Sequence, residues 1–237
     1  MLLGFLTGLG KVVIFFIVCV AILSIIRRFF SIPDEVFRKS LHLMLIFSLL
    51  VFLYAYEEWW LAALASLAFM LIAYLAISLA EKKLKSFSKL IGERNGGEIK
   101  NSLVLAFTMF ALMIAIGWGW LGERWLAMVC VYAWGFGDGA AALVGKRFGK
   151  RKIKSPRSDG HKTVEGTVTM FLVSFVTVLV ILLLNANFAW YGYLITALLA
   201  AAVTATVELY TKNGYDTVTC PIAAAVVILP LVQLFTI

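Results

Sequence analysis

Asp138 lies inside an apolar, glycine-rich run, Gly135-Phe-Gly-Asp-Gly-Ala-Ala-Ala-Leu-Val-Gly145. Eight lysines and arginines follow between Lys146 and Lys162. Gly135, Asp138, Ala142 and Gly145 recur at helical spacing and leave a stripe of small residues on one face. Small residues let helices pack closely, but packing gives no reason for a carboxylate. Inside a span a carboxylate costs several kcal/mol unless it is paired, metal-bound or protonated, so Asp138 reads as functional. Small neighbours, Gly137, Gly139 and Gly145 among them, also let a phosphate or a Mg²⁺ ion approach the backbone. Of the cations, Lys146 and Arg147 follow the run directly. Lys162 stands where the next apolar run begins, with Thr163 placed to cap it. A helix N-terminus beside a lysine suits a phosphate group. Together these residue types suit a metal–nucleotide site.

Two other polar segments border apolar runs. In Ser31-Ile-Pro-Asp-Glu-Val-Phe-Arg-Lys-Ser-Leu-His42, Ser31, Pro33 and Asp34 mark a helix start. Arg38 and His42 then share a face, and Glu35 and Lys39 have the spacing of a pair. Interfacial anchoring explains these residues as well as phosphate binding by Arg38, Lys39 and His42 does. His42 is the stronger pointer, because a histidine inside the apolar boundary needs a polar partner. In Glu208-Leu-Tyr-Thr-Lys-Asn-Gly-Tyr-Asp-Thr-Val-Thr-Cys-Pro221, Asn213-Gly214 marks a turn. Asp216 or Thr217 could simply cap the last helix. Glu208 is a second membrane-edge carboxylate and, with Asp138, offers hard oxygen ligands for a metal. The charged stretch from Glu81 to Lys100 reads as a solvated connector.

The elements that must position these residues are membrane spans. The chain has 237 residues, 62% of them hydrophobic and 14% charged, too apolar a balance for a soluble domain. Runs long enough to cross a bilayer fall near 3–26, 40–56, 59–80, 102–121, 125–145, 164–184, 188–207 and 217–237. Lys11 interrupts the first, and the second is short. The expected fold is all-α: one polytopic transmembrane bundle over 1–237, of about eight spans. The alternate connections 27–39, 81–101, 146–163 and 208–216 hold 19 of the 21 lysines and arginines. By the positive-inside rule they face the cytoplasm, which puts both termini on the non-cytoplasmic side. Met1 to Gly10 has no positive n-region, so the first span reads as retained rather than cleaved.

The net charge of +8 is then a topology signal and an attraction to anionic headgroups. Nucleic-acid binding is excluded, because the cations sit in short membrane-edge loops rather than on a basic domain. Cys19, Cys130 and Cys220 are far apart in apolar runs and read as packing residues. The small-residue faces could pack within the chain or between copies, as a homo-oligomer. An intramembrane Asp also occurs in ion pathways, but a transporter places its polar groups near the midplane, and here they cluster at one face.

Three motifs, in order, resemble those of the polyprenol kinase family, which includes dolichol kinase, phytol kinase and CTP-dependent diacylglycerol kinase. They are Glu35-Val-Phe-Arg-Lys-Ser-Leu-His42; Gly137-Asp-Gly-Ala-Ala-Ala-Leu-Val-Gly-Lys-Arg-Phe-Gly149 with Lys162-Thr-Val-Glu-Gly-Thr167; and Gly214-Tyr-Asp-Thr-Val-Thr-Cys-Pro221. In the last, Thr217 and Val218 replace the family's usual Asn and Leu. The middle motif is also similar to one in phosphatidate cytidylyltransferases, whose long C-terminal signature of Gly, His and paired Asp is missing here. The resemblance implies an integral membrane enzyme that moves the γ-phosphate of CTP to a lipid alcohol, such as a polyprenol, with a divalent metal. On that basis Asp138 and Glu208 are expected to hold Mg²⁺. Gly137, Gly139, Gly145, Lys146, Arg147, Lys162 and Thr163, with Arg38 and Lys39, are expected around the nucleotide phosphates. Asp216 or His42 is expected to orient or deprotonate the acceptor hydroxyl. A cytidylyltransferase making a CDP-lipid is the alternative within CTP chemistry.

Overall fold

A computed structural model describes residues 1–83, 97–153 and 162–236, apart from the side chain of Glu98. Most of the connector expected between Glu81 and Lys100, together with Lys154, Arg157 and His161, lies outside the described residues. Eight helices among those described are long and apolar enough to cross a membrane. They are α1 (Leu2–Phe29), α2 (Asp34–Ala55), α3 (Trp59–Lys83), α4 (Glu98–Met113, continued by a π-helical stretch, Ile114–Trp120), α5 (Arg124–Phe148), α6 (Val164–Asn185), α7 (Trp190–Tyr210) and α8 (Asp216–Phe235). No strand occurs among the described residues, so the all-helical reading holds.

The helices gather into two compact units, Met1–Trp120 and Leu121–Ile237. In the first, α2 begins six residues earlier than its apolar run, because the polar turn Asp34–Lys39 is itself helical. Asp34 does not wait for a cap from Ser31. Its carboxylate pairs with Arg27 at 2.7 Å, across the turn from α1, while Glu35 pairs with Arg38 at 2.5 Å one turn on. The core is aromatic. Phe16 stacks on Phe69 at 4.6 Å, and Phe107 meets Phe69 edge-on at 5.2 Å. Ser66 donates to the Phe107 carbonyl at 2.8 Å, so its hydroxyl is satisfied inside the apolar layer. The Tyr56 ring fills the space beside Gly8 and its hydroxyl donates to the Phe5 carbonyl. Much of α1 is exposed apolar surface, Ile14, Ile17 and Ile25 included, as suits a helix that faces acyl chains.

The second unit is a four-helix arrangement of α5 to α8. Here α5 packs on α6, α7 and α8, and α6 and α8 also pack on α7. Trp134, Met170, Leu182 and Ile228 are among its fully buried side chains. Ser174 of α6 donates to the Ala133 carbonyl of α5 at 2.6 Å. The row that brings these two helices together is Gly137, Ala141 and Gly145, spaced by four. A Cβ at Gly137 would lie 2.5 Å from both Met170 Sδ and Ser174 Oγ. A Cβ at Gly145 would meet Thr163 Oγ1 at 3.1 Å, and one on Gly166 would meet the Ala141 carbonyl at 3.1 Å. The row is therefore shifted from the stripe read in the sequence, and Asp138 lies beside it rather than on it.

Candidate active site

Four helix ends meet at one end of the second unit: the C-terminal part of α5, the start of α6, the end of α7 and the start of α8. Each brings a polar residue. Asp138 is half-buried on α5, Lys162 and Thr163 precede α6, Glu208 is two residues from the end of α7, and Asp216 is the first residue of α8.

The basic loop reaches this end because its two arms pair. Ile153 N–H donates to the Lys162 carbonyl at 2.9 Å, and Val164 N–H donates to the Arg151 carbonyl at 3.0 Å. Thr163 caps α6 as its sequence position predicts, its Oγ1 accepting from Gly166 N–H at 3.1 Å. It is buried, 6% exposed, against Gly145 and Gly149.

Lys162 is then held across the unit. Its ammonium pairs with Glu208 Oε1 at 2.9 Å, and it donates to the main-chain carbonyls of Glu208 and, at 3.0 Å, Thr211. An ammonium has three N–H donors, and three acceptors surround this one. The two carbonyls belong to the end of α7, where a cation also complements the helix dipole. Only 16% of the Lys162 side chain and 11% of the Glu208 side chain are exposed.

Past α7 the chain turns through Asn213 and Gly214, both with positive φ (58° and 76°), as the Asn-Gly pair predicts. Thr211 Oγ1 bonds Thr219 Oγ1 at 3.1 Å across the turn. Asp216 does not cap α8. The cap position is Tyr215, without a side-chain bond, and Asp216 Oδ2 instead accepts from the indole Nε1–H of Trp134 at 3.3 Å. Both Asp138 and Asp216 lie close enough to Glu208 to act on it electrostatically. Three carboxylates and one lysine thus share this end.

Other residues expected at a site are placed as follows. Gly137 and Gly145 have their open sides filled by α6, and Gly139 is buried. Lys146 and Arg147 are exposed in the last turn of α5, Arg147 over the Phe148 ring at 5.3 Å. Arg38, Lys39 and His42 belong to α2 of the first unit, where Lys39 and its neighbour Glu35 are both 6% exposed. Trp134 was not evident as a site residue. The one signal for it is its place a single turn before Asp138 on α5.

No group of three His, Cys, Asp or Glu among the described residues could by itself hold a metal ion. The donor set is nonetheless of the right kind for Mg²⁺, which takes one or two carboxylates and completes its shell with substrate phosphates and water. The arrangement fits a metal carried with a nucleotide, not an all-protein cage.

One helical turn from Thr163, a groove of about 300 Å³ runs between α6 and α7. Thr167, Val168, Phe171, Ala202, Ala205 and Leu209 line it. Its near end adjoins the ionic cluster, since Leu209 follows Glu208 and Thr167 Oγ1 donates to the Thr163 carbonyl at 3.2 Å.

The family model of the cytidylyltransferase family matches residues 1–210. A phytol kinase from Synechocystis sp. is 31% identical over 121 residues, 50% of this chain and 51% of that kinase. The chain thus spans about half the length of the curated relative it matches. No solved structure matches. The chain belongs to the cytidylyltransferase family, and over half its length it is similar to a phytol kinase.

Proposed function

We propose that this protein is a CTP-dependent lipid-alcohol kinase working at the cytoplasmic face of a membrane. Its acceptor is an isoprenoid alcohol, polyprenol- or phytol-like. The observation that carries the reading is the meeting of Asp138, Lys162, Glu208 and Asp216 at one end of a helical unit whose sides face lipid. The likeness to a phytol kinase supports the acceptor class. The excess of lysine and arginine in alternate loops supports the cytoplasmic side.

The reaction forms a bond between the alcohol oxygen and the γ-phosphorus, breaks the bond from that phosphorus to the β-bridging oxygen, and releases CDP. The alcohol proton passes to a base. Such transfer is catalysed mainly by positioning and by neutralising phosphate charge. Lys146 and Arg147, exposed beside the site, bind the phosphates. Asp138 and Glu208 are the residues that would hold Mg²⁺, whose chemistry is to screen the phosphate oxygens. Lys162 fixes Glu208 in place and closes the site against the end of α7. Asp216 accepts the alcohol proton. The lipid tail lies in the groove between α6 and α7, entering sideways from the bilayer, with its hydroxyl toward the ionic cluster.

The family's name favours one second reading, transfer of the cytidylyl group to a lipid phosphate. One experiment separates the two. The protein in nanodiscs is given Mg²⁺ and CTP labelled at either the α- or the γ-phosphate, with phytol, geranylgeraniol, polyprenol, diacylglycerol or phosphatidate. Transfer of γ-label to an isoprenoid alcohol is the expected result. Transfer of α-label to phosphatidate makes the protein a cytidylyltransferase. No label on any lipid from CTP, ATP or GTP overturns both readings and leaves transport or scaffolding.

A further inference from the structure

We propose that Trp134 is a positioning residue for Asp216, an inference that rests on Asp216 being the carboxylate that receives the acceptor's proton. Trp134 is buried at 2% exposure on α5, and its indole Nε1–H points across the unit to Asp216 Oδ2 on α8, 82 residues further along the chain. An indole offers one donor and no acceptor, so this contact fixes a carboxylate oxygen as acceptor and supplies nothing else. The ring itself is locked by burial among the fully packed side chains of the unit. The bond therefore sets where the carboxylate stands rather than following it.

Two features make this more than the disposal of a buried N–H. Asp216 begins its helix, and the turn before it is held by the Thr211–Thr219 bond and by Lys162 on the Thr211 carbonyl. The turn before Asp216 is thus held, and the indole adds a contact from a buried ring to one carboxylate oxygen. Trp134 also lies one turn from Asp138 on α5, so the same helix that presents Asp138 sets the direction of Asp216. The two carboxylates are placed relative to each other through a single rigid element. A wrong rotamer at Asp216 would leave phosphate binding intact and misplace only the proton acceptor, which is a loss in turnover rather than in binding.

The test uses the full chain in nanodiscs with γ-labelled CTP and phytol, comparing Trp134→Phe, which keeps the ring and removes the N–H, with Trp134→His, which keeps an N–H donor. The expected result is a loss of kcat of roughly tenfold in Trp134→Phe, the scale of a hydrogen bond to a charged group. KM for CTP stays within about twofold, the unfolding midpoint falls modestly because a buried ring shrinks, and Trp134→His recovers part of the lost kcat. Unchanged kcat in Trp134→Phe overturns the proposal. So does a loss of kcat that Trp134→His fails to relieve, which would mark packing alone. Asp216→Asn is measured alongside. Normal turnover in that variant removes Asp216 from the reaction, so the assignment beneath the inference fails; an inactive Asp216→Asn with an unimpaired Trp134→Phe overturns the positioning role alone.

Discussion

Replacing Lys162 with methionine should destabilise the protein far more than replacing its partner does. In the wild type the ammonium is surrounded by Glu208 Oε1 and two carbonyls at the end of α7, and both side chains are largely shielded. Lys162→Met leaves the Glu208 carboxylate shielded and without its cation. Breaking a buried pair from one side costs about 3–5 kcal/mol, and the residual exposure here argues for the lower end, about 3 kcal/mol. For a chain of this size that is a fall of roughly 6–12 °C in the unfolding midpoint. Glu208→Gln behaves differently. Its amide oxygen can still accept from the ammonium, and both carbonyl contacts survive, so the cost is about 1 kcal/mol. The double variant Lys162→Met/Glu208→Met exchanges the pair for apolar side chains and should return to within about 1 kcal/mol of the wild type. The assay is thermal unfolding of the four proteins in one detergent, with denaturant unfolding as a second probe, read as a double-mutant cycle. If Lys162→Met unfolds with the wild type, within about 0.5 kcal/mol, the pair contributes nothing to the fold. Lys162 would then be free to serve a phosphate directly.

Three further outcomes are expected. Asp138→Asn should abolish γ-label transfer to lipid while leaving the unfolding midpoint in place; turnover near the wild-type rate would remove Asp138 from the metal–nucleotide site. Gly137→Ala should cost about 1–3 kcal/mol, because its new methyl lies 2.5 Å from Met170 Sδ and Ser174 Oγ. Gly10→Ala on α1 meets nothing within 4 Å and should be neutral or stabilising by up to about 1 kcal/mol, so equal midpoints for the two variants would contradict the packing of α5 on α6. Ala202→Phe should narrow the groove between α6 and α7 and raise KM for the lipid alcohol roughly tenfold, with KM for CTP unchanged; equal effects on both constants would place the tail elsewhere.

The spans were legible in the sequence because a bilayer imposes a one-dimensional rule: about 20 apolar residues for each crossing, whatever the neighbours do. The start of α2 escaped that rule, since Asp34 to Lys39 are polar and stay helical through their own ion pairs. Asp138, Lys162 and Glu208 were legible for a related reason, as charges where the surroundings make charge expensive. What they do to one another was not. The pairing of Lys162 with Glu208 joins residues 46 apart, and that of Trp134 with Asp216 joins residues 82 apart. Each depends on the rotation of one helix against another, which no single helix encodes. The same rotation decides that Gly137, Ala141 and Gly145 form the packed row and that Asp138 is left beside it.

The apolar groove lies on α6 and α7, one turn from the Lys162–Glu208 pair, while Asp138 and Asp216 reach the ionic cluster from α5 and α8. On the proposed function, most tail-facing residues then stand apart in sequence from Asp138, Lys162 and Asp216. A chimaera that exchanged only the groove-lining stretches, 167–171 and 202–206, would move between acceptors while its phosphate chemistry stayed untouched.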